Sequence, residues 1–583
     1  MIGRTAFPPI GDLPYLLTLS GHDFLWFRLA PAEKAPTGRE ELLPREELPV
    51  LVLFDGWASL FRDRVVPWRI AMSEKVRNQL ETDALPAFVA GRRWYAAKSE
   101  AVRRVELADY VEWKSRERSW LVTLARVEGT SGATQTYFLP LTLAWEDVDE
   151  TMVNALGSFT IARARQQAQA GVLADAFGDE TFVRALVAAV GEGVQVKSAR
   201  GSLQFKPTSA FARLVGSDVA TLPATMPGAQ SSNTIVSLGD RVFVKGYRRL
   251  QAGVNPEVEI GRYLTDVVQF AHCVPVAGSV EYLAEDGRTA TLALIQQYVF
   301  NQGSGWDFTL NHLDRFFEDA SRGARGAPAP DVHDGYTALA RTLGMRTGEL
   351  HAAFARNTGD PAFDPVPLGT ADIGAWTERV RAEAMAVLDR LRRRRDALPE
   401  SIRDDVDRLI ALRDDLLARI AAHAKDRGDG VKTRLHGDYH LGQVLLVHND
   451  FMIIDFEGEP SRTMEERAQK HSPLKDVAGM LRSFDYAMHT ALFKFVSERP
   501  DAREAVESAG LQWQARAADA FLDGYDEVAH ANGLTSARAE MKGLLELFVL
   551  EKAVYELKYE VDNRPDWVRI PLIGLLNILE GGR

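Results

Sequence analysis

Along the chain the spacing of apolar residues switches between the helical period and strict alternation. Tyr15–Leu19 and Phe24–Leu29 read as two strands around a turn at Gly21-His22-Asp23. Residues 31–48 are charged and Pro-rich with few apolar positions, the composition of a linker. From 49 to 200 the pattern predicts helices over Ser73–Thr82, with Ser73 as cap, and Leu85–Ala90. Alternating strands follow over Val102–Glu112, Ser119–Val127 and Gln135–Leu141, then helices over Met152–Ala155 and Thr181–Val190. From 201 to 300 short alternating runs dominate: Ser202–Pro207, a strand entered at Thr234, Arg241–Lys245 after a Gly239-Asp240 turn, and Leu292–Val299. One helix interrupts them, capped by Asn255, with Pro256 in its first turn and an end near Leu264. Beyond 301 helical spacing prevails, at Tyr336–Ala355 and in a long pair, 373–395 and 402–425, broken at Pro399. The exception is a hairpin, Val444–Val447 and Phe451–Ile454, turning at His448-Asn449-Asp450.

That hairpin carries the chemistry. Asp438 lies in the polar loop before it, Asp455 at its exit, and Gln443 at its entry. Phosphoryl transfer needs one acid near the attacking hydroxyl, and an acid with an amide to hold magnesium on the nucleotide phosphates. The kinase pattern H-R-D-x-x-x-x-N … D-F-G reads here His436-Gly437-Asp438, then Gln443, then Asp455-Phe456-Glu457. A Gln in place of Asn keeps the amide oxygen and adds a methylene. Glu457 is placed either to aid a second metal or to make a structural hydrogen bond. In the strand ending at Lys245, alternation puts the lysine opposite Val242 and Val244, where it can reach α and β phosphates. Glu259, ahead of Glu257, is the expected partner that aims it. No G-x-x-x-x-G-K-[ST] loop is present, so Ser231, Ser232 and Asn233 are expected to cover the phosphates instead. Gln296 to Val299, with Gln296 and Tyr298 foremost, are the expected hinge against adenine. His436 and His440 lie four apart without the glutamate of a zinc-protease motif; His436 reads as a brace for the loop.

Composition narrows the partners. At 583 residues the chain has room for roughly three or four domains. A net charge of -12 argues against a nucleic-acid or anionic-membrane surface as main partner, since both need clustered Lys and Arg. Cys273 is the single cysteine, which excludes an internal disulfide and fits a reducing cytoplasm. The basic–aromatic run Arg92-Arg93-Trp94-Tyr95-Ala96-Ala97-Lys98 reads as cationic stems packed over rings, and Arg392–Arg395 as a solvated helix end.

The change from H-R-D to H-G-D and from D-F-G to D-F-E resembles the aminoglycoside-phosphotransferase branch. The longer runs around Asp438, Asp455-Phe456-Glu457-Gly458-Glu459-Pro460 and Ser472-Pro473 through Asp476-Val477-Ala478-Gly479-Met480-Leu481-Arg482 to Ala487 resemble maltokinases. So do Arg92-Arg93-Trp94-Tyr95 and Tyr559–Val568, so the similarity spans about 49 to 583. It implies an α+β, bilobal protein-kinase-like fold with an extra N-terminal cap: cap 49–200, small lobe 201–300, mainly helical large lobe 301–583. It also implies a cytoplasmic enzyme that uses ATP and Mg2+ to phosphorylate maltose at its anomeric hydroxyl. Asp438 would accept or orient the proton, Lys245 would hold ATP phosphates, and Gln443 and Asp455 the metal. His440, Glu560, Asn563, Arg564 and Trp567 would bind the sugar, with capping of the last helix as the alternative for Asn563 and Arg564. Residues 1–30, with Pro8-Pro9-Ile10-Gly11 and Trp26-Phe27-Arg28-Leu29, resemble the tail of trehalose synthase, which implies a partner in cis or in trans. Other readings are a kinase of an aminoglycoside or amino alcohol, and a non-catalytic kinase-like module.

Overall fold

The structure, a computed structural model, describes residues 47–581 except 99, 116–117, 227–231, 324–333, 426–429, 461 and 535–537. The expected strands at 15–29, most of the linker and Ser231 lie outside the described residues. The chain forms two compact units. One runs up to Gln269 and includes Val274–Val299; the other comprises Phe270–Cys273 and the chain from Phe300 onward.

The first unit contains two seven-stranded sheets. The first is built from β1 (Val50–Leu53), β2 (Val102–Ser115), β3 (Arg118–Gly129), β4 (Thr134–Phe138), β5 (Leu141–Trp145), β6 (Thr160–Gln166) and β7 (Gln169–Asp175). Its order is β1-β6-β7-β5-β3-β2, with β4 paired to β3. The single strand expected over Gln135–Leu141 is two, because Pro140 has no N–H to continue a ladder. One irregularity gives this sheet two cores. Between Leu107 and Asp109, β2 slips by one residue against β3. Side chains alternate with period two, so the slip moves the odd-numbered positions to the other face. Val105 and Leu107 therefore pack with Val76, Leu80 and Val89 of the helical segment 70–90. Val111 and Trp113 pack with Trp120, Phe182 and Phe205. The helix expected from Ser73 begins at Ile70 instead, behind a turn started by Pro67, and Ser73 is buried inside it.

The second sheet comprises β8 (Gln195–Lys197), β9 (Gly201–Pro207), β10 (Ala224–Thr225), β11 (Thr234–Leu238), β12 (Val242–Gly246), β13 (Val276–Ala284) and β14 (Thr289–Gln297). All pairs are antiparallel in the order β10-β11-β12-β14-β13-β9-β8. The helix Glu180–Glu192 shares its apolar face with both sheets, so one cluster holds Phe182, Val187, Phe138, Val244 and Ile295. The chain leaving β12 is tied to β4: the N–H of Phe138 donates to the carbonyl of Arg248, and that of Leu250 to Thr136. The fully buried Arg248 guanidinium donates to Asp175 at 2.6 Å and to Thr234 Oγ1 at 2.6 Å, and lies over the Phe177 ring.

The second unit is mainly helical. Its long helices are Gly305–Gly323, Asp334–Phe354, Thr370–Arg394, Leu474–Glu498, Arg503–Ala531 and Arg538–Asn563, with a last helix at Arg569–Glu580. The partner of 370–394 is broken again at Leu412, into Arg403–Ala411 and Arg413–Ala422. Two short ladders complete it: β15 (Val366–Pro367) with β16 (Val431–Lys432), and the hairpin β17 (Val444–Val447) with β18 (Asp450–Ile453). His448 and Asn449 both have positive φ, as a two-residue hairpin loop of the mirror-image type requires.

Candidate active site

In the first unit the lysine strand behaves as its alternation dictates: Val242 and Val244 are fully buried, while Phe243 and Lys245 face the other side. The pairing expected with Glu259 is corrected. Lys245 Nζ donates to Glu257 Oε2 at 2.7 Å, with the Glu257 side chain 3% exposed. Asn255 caps the helix Pro256–Arg262 by accepting from the Glu257 N–H, and this fixes which residue points inward. Residues 257 and 259 lie about 200° apart around a helix, so only one of them can face β12. Tyr247, on the same face of the strand as Lys245, donates to the same carboxylate oxygen at 2.6 Å. Gln296, expected in the hinge, lies in β14, one residue before its end. It pairs with Phe243 and Val276 inside the sheet, and its amide reaches Glu257 Oε1 at 3.5 Å. The N–H of Tyr298 donates to the Arg241 carbonyl, and its ring stacks on Phe243. Of the expected phosphate-covering turn, Ser232 is exposed and Asn233 half-buried, just before β11.

In the second unit the loop carrying Asp438 is held by the helix 474–498. Asp476, buried, accepts from the N–H groups of His436 at 2.8 Å and Gly437 at 3.0 Å. Ser483 accepts from the N–H of Leu441 at 3.0 Å. A Cβ on Gly479 would lie 2.6 Å from the Tyr439 carbonyl oxygen, so the close approach of helix and loop needs a glycine there. Gly437 has φ +86°, which explains why an arginine cannot stand in this loop conformation without strain. The His436 ring bonds the Ile454 carbonyl at 2.8 Å, bracing the loop against the end of β18. At that end Asp455 adopts φ 65°, and Gln443 Nε2 donates to Asp455 Oδ2 at 3.1 Å. Amide and carboxylate oxygens are the donors a hard divalent cation takes, so the two residue types suit magnesium, with the amide here turning its nitrogen to the carboxylate.

Asp438 itself meets a residue that the sequence reading passed over. Lys552 Nζ, from the helix 538–563, donates to Asp438 Oδ1 at 3.2 Å. His440 Nε2 stands 3.9 Å from Oδ2. Burial would raise the Asp438 carboxyl; Lys552, then His440 and His436, outweigh it and hold the group below its ordinary value. Burial works against the charge of Lys552, but Asp438, Glu556 and Glu459 raise its pKa overall. His440 is lowered, chiefly by burial, and its Nδ1 accepts from the Gly442 N–H.

A pocket opens beside Asp438, lined by Glu383, Glu459, Arg462, Glu551, Lys552 and Tyr555 among others. Its wall is a charge network. Glu551 accepts from Lys475 at 2.7 Å and from Arg379 at 3.1 Å, and Arg462 bridges to Glu459 at 2.7 Å. Burial opposes the charge of Glu551, yet Lys475 and Arg379 bring it down to about 2. Glu383 is pushed up by burial and by Glu551. The signal for these residues was present in the sequence: Glu551, Lys552 and Glu556 are charges set inside an apolar helical run, where a solvated face does not explain them.

Of the expected sugar-binding group at the C-terminus, Glu560 and Asn563 lie at the end of the same helix and Arg564 and Trp567 just beyond it. Glu560 is buried and accepts from Arg564 at 2.7 Å and from the Tyr486 hydroxyl at 3.4 Å. Arg564 also lies over the rings of Tyr559 and Trp567, and Asn563 donates to the Tyr559 carbonyl. None of Glu560, Asn563, Arg564 and Trp567 lines the pocket beside Asp438. In the first unit, the Arg92 guanidinium lies 3.8 Å over Phe88 and donates to the Ser158 carbonyl, so this basic–aromatic stretch is packing.

Fold and sequence together define a kinase-like phosphotransferase with an N-terminal cap. Within that class, the chain carries a maltokinase N-terminal cap domain over residues 88–179 and a phosphotransferase enzyme family domain over 316–526. It is similar to a glucosamine kinase from Streptacidiphilus jiangxiensis, 28% identical over 356 residues, 60% of this chain and 72% of that one. A solved glucosamine kinase in complex with glucosamine, ADP and inorganic phosphate shares the fold, with a TM-score of 0.56 and 23% identity over 86% of this chain and 99% of that one. A stretch of 42 residues is 57% identical to trehalose synthase from a Pimelobacter strain, 7% of either chain. Among the described residues no helix is long and apolar enough to cross a membrane.

Proposed function

We propose that the protein transfers the γ-phosphoryl group of ATP to the anomeric hydroxyl of maltose. The maltokinase cap domain is the observation that carries the choice of maltose. In this reaction the acceptor O–H gives its proton to Asp438. Its oxygen bonds to the γ-phosphorus as the bond to the β,γ-bridging oxygen breaks, and ADP departs. Asp438 is suited to the step because the Lys552 cation keeps it ionised although buried. Lys245, aimed by Glu257, is the cation for the α and β phosphates. Gln443 and Asp455, with Glu457 as the further oxygen donor, would hold Mg2+, which supplies charge neutralisation on the phosphates when bound. Glu383, Glu459 and Tyr555 offer the hydrogen-bonding groups that a sugar needs beside the reacting hydroxyl.

Glucosamine is the second acceptor to weigh, because the glucosamine kinase relative aligns with most of its own length and because the pocket has acidic walls. The trehalose synthase-like stretch supports a link to trehalose synthase, in cis or in trans, and so to maltose. The deciding experiment incubates the purified protein with ATP, Mg2+ and each sugar in turn. Formation of ADP with maltose, and phosphate on the reducing carbon, is expected. Transfer to glucosamine alone would replace maltose as acceptor.

A further inference from the structure

We infer that Lys552 is a positioning residue for phosphoryl transfer, fixing Asp438 so that Oδ2 is the oxygen that takes the acceptor's proton. The inference rests on the kinase reading above and goes to how its base is aimed. Lys552 occupies Oδ1 at 3.2 Å, whereas the group facing Oδ2, His440 Nε2, stands 3.9 Å away, beyond hydrogen-bond reach. One carboxylate oxygen is thus committed and the other accepts no hydrogen bond from the described residues. The lysine comes from the helix 538–563, and the loop it touches is already held by Asp476 on the helix 474–498. The carboxylate is therefore fixed through both its backbone and its side chain.

The other groups around Lys552 do not explain it as a plain structural pair. Glu556, one turn along the same helix, accepts from Arg482 at 2.7 Å, and Glu459 accepts from Arg462 at 2.7 Å. Tyr555 presents its ring at 5.1 Å. Each of these two acids has an arginine, whereas the lysine donates its hydrogen bond to Asp438. Among the described residues the charged and titratable groups acting on Asp438 are Lys552, His440 and His436, with Arg467 as a further cation. A lysine in this place costs the base some basicity. That is tolerable in a loose transfer, where the phosphorus–oxygen bond to ADP is largely broken before much proton has moved, and orientation of the attacking oxygen matters more.

The test uses the full chain as K552M, which keeps the stem and removes the charge, and K552R, which keeps the charge. In K552M, kcat is expected to fall about 10–100-fold with KM for ATP within about twofold. The acid limb of the pH profile should move up by about one unit, as expected when a cation beside a carboxylate is removed. K552R should recover most of kcat. The carboxyl of Asp438 is also followed directly by 13C NMR of Asp-labelled protein, assigned by difference from D438N, and should titrate higher in K552M. An active wild type whose K552M variant keeps its kcat and its titration overturns this inference alone. So does loss of activity in both variants with the Asp438 titration unmoved, because a purely structural role would behave that way. A wild type that transfers phosphate to no sugar overturns the kinase reading and the positioning role with it.

Discussion

Asp455 stands at φ 65°, in the left-handed region that residues with a Cβ rarely adopt. Its neighbours impose that conformation: the Ile454 N–H donates to the Gln443 carbonyl, and Gln443 Nε2 holds the carboxylate. Asparagine tolerates this backbone nearly as well as aspartate. Asp455→Asn should therefore leave the melting temperature near that of the wild type while lowering kcat by about 10²-fold or more, since only the charge is lost. Asp438→Asn should cost about 10²–10⁴-fold, the usual range for a proton-accepting group. The choice between the two glutamates of the 256–262 helix is testable in the same assay. Glu257→Gln should weaken ATP use, seen as a raised KM or lowered kcat, whereas Glu259→Gln should change either by no more than about twofold, as expected for a charge not on the lysine. Glu551 gives a pH prediction. Its carboxyl is lowered from 4.5 to about 2, so its contribution is complete above pH 4.5 and is lost as the pH falls towards 2. That shift corresponds to about 3 kcal/mol. Glu551→Gln should flatten the dependence of unfolding free energy on pH between about 2 and 4.5, measured by denaturant titration, and a slope equal to that of the wild type would contradict the assignment.

At the level of elements, the helix 474–498 organises the loop of Asp438 and the strand β12 organises Lys245, and each has one vulnerable point. At Gly479 a methyl group would meet the Tyr439 carbonyl, which is backbone and cannot yield without moving the loop. Gly479→Ala should lower both stability and kcat, with stability loss of about 1–3 kcal/mol by denaturant unfolding. Just after β12, Arg248 is fully buried on Asp175, so Arg248→Met strands a carboxylate and should cost about 3–5 kcal/mol. Element types were legible because apolar period decides them: β12, β17, the helix 334–354 and the helix 180–192 fall where alternation or helical spacing puts them. What was not legible depends on contacts distant in sequence. The slip in β2 at Leu107 serves two cores, and nothing in the local alternation marks it. Glu257 was misjudged for Glu259 because the helical phase is set by the Asn255 cap rather than by the residue types. Lys552, 114 residues from Asp438, was visible only as a charge in an apolar run.

For the whole molecule, the motif residues fall in both units, Lys245 in the first and Asp438 with Asp455 in the second. The pocket beside Asp438 was less legible. Its acids and cations come from the helices 370–394, 474–498 and 538–563 and from the loops carrying Asp438, Glu459 and Arg462, while the residues chosen at the C-terminus by resemblance, Glu560 to Trp567, gather around Tyr486, Tyr559 and each other. The two accounts of the acceptor, a neutral disaccharide or an amino sugar, differ in the phosphorylated product. The most direct measurement is therefore 31P and 13C NMR of the product formed from ATP, Mg2+ and an equimolar mixture of maltose and glucosamine. ADP and a phosphate on the anomeric carbon of maltose are expected, both lost in Asp438→Asn. Phosphate found on glucosamine with maltose untouched would contradict the proposed acceptor, and ATP left intact with both sugars would contradict the kinase itself.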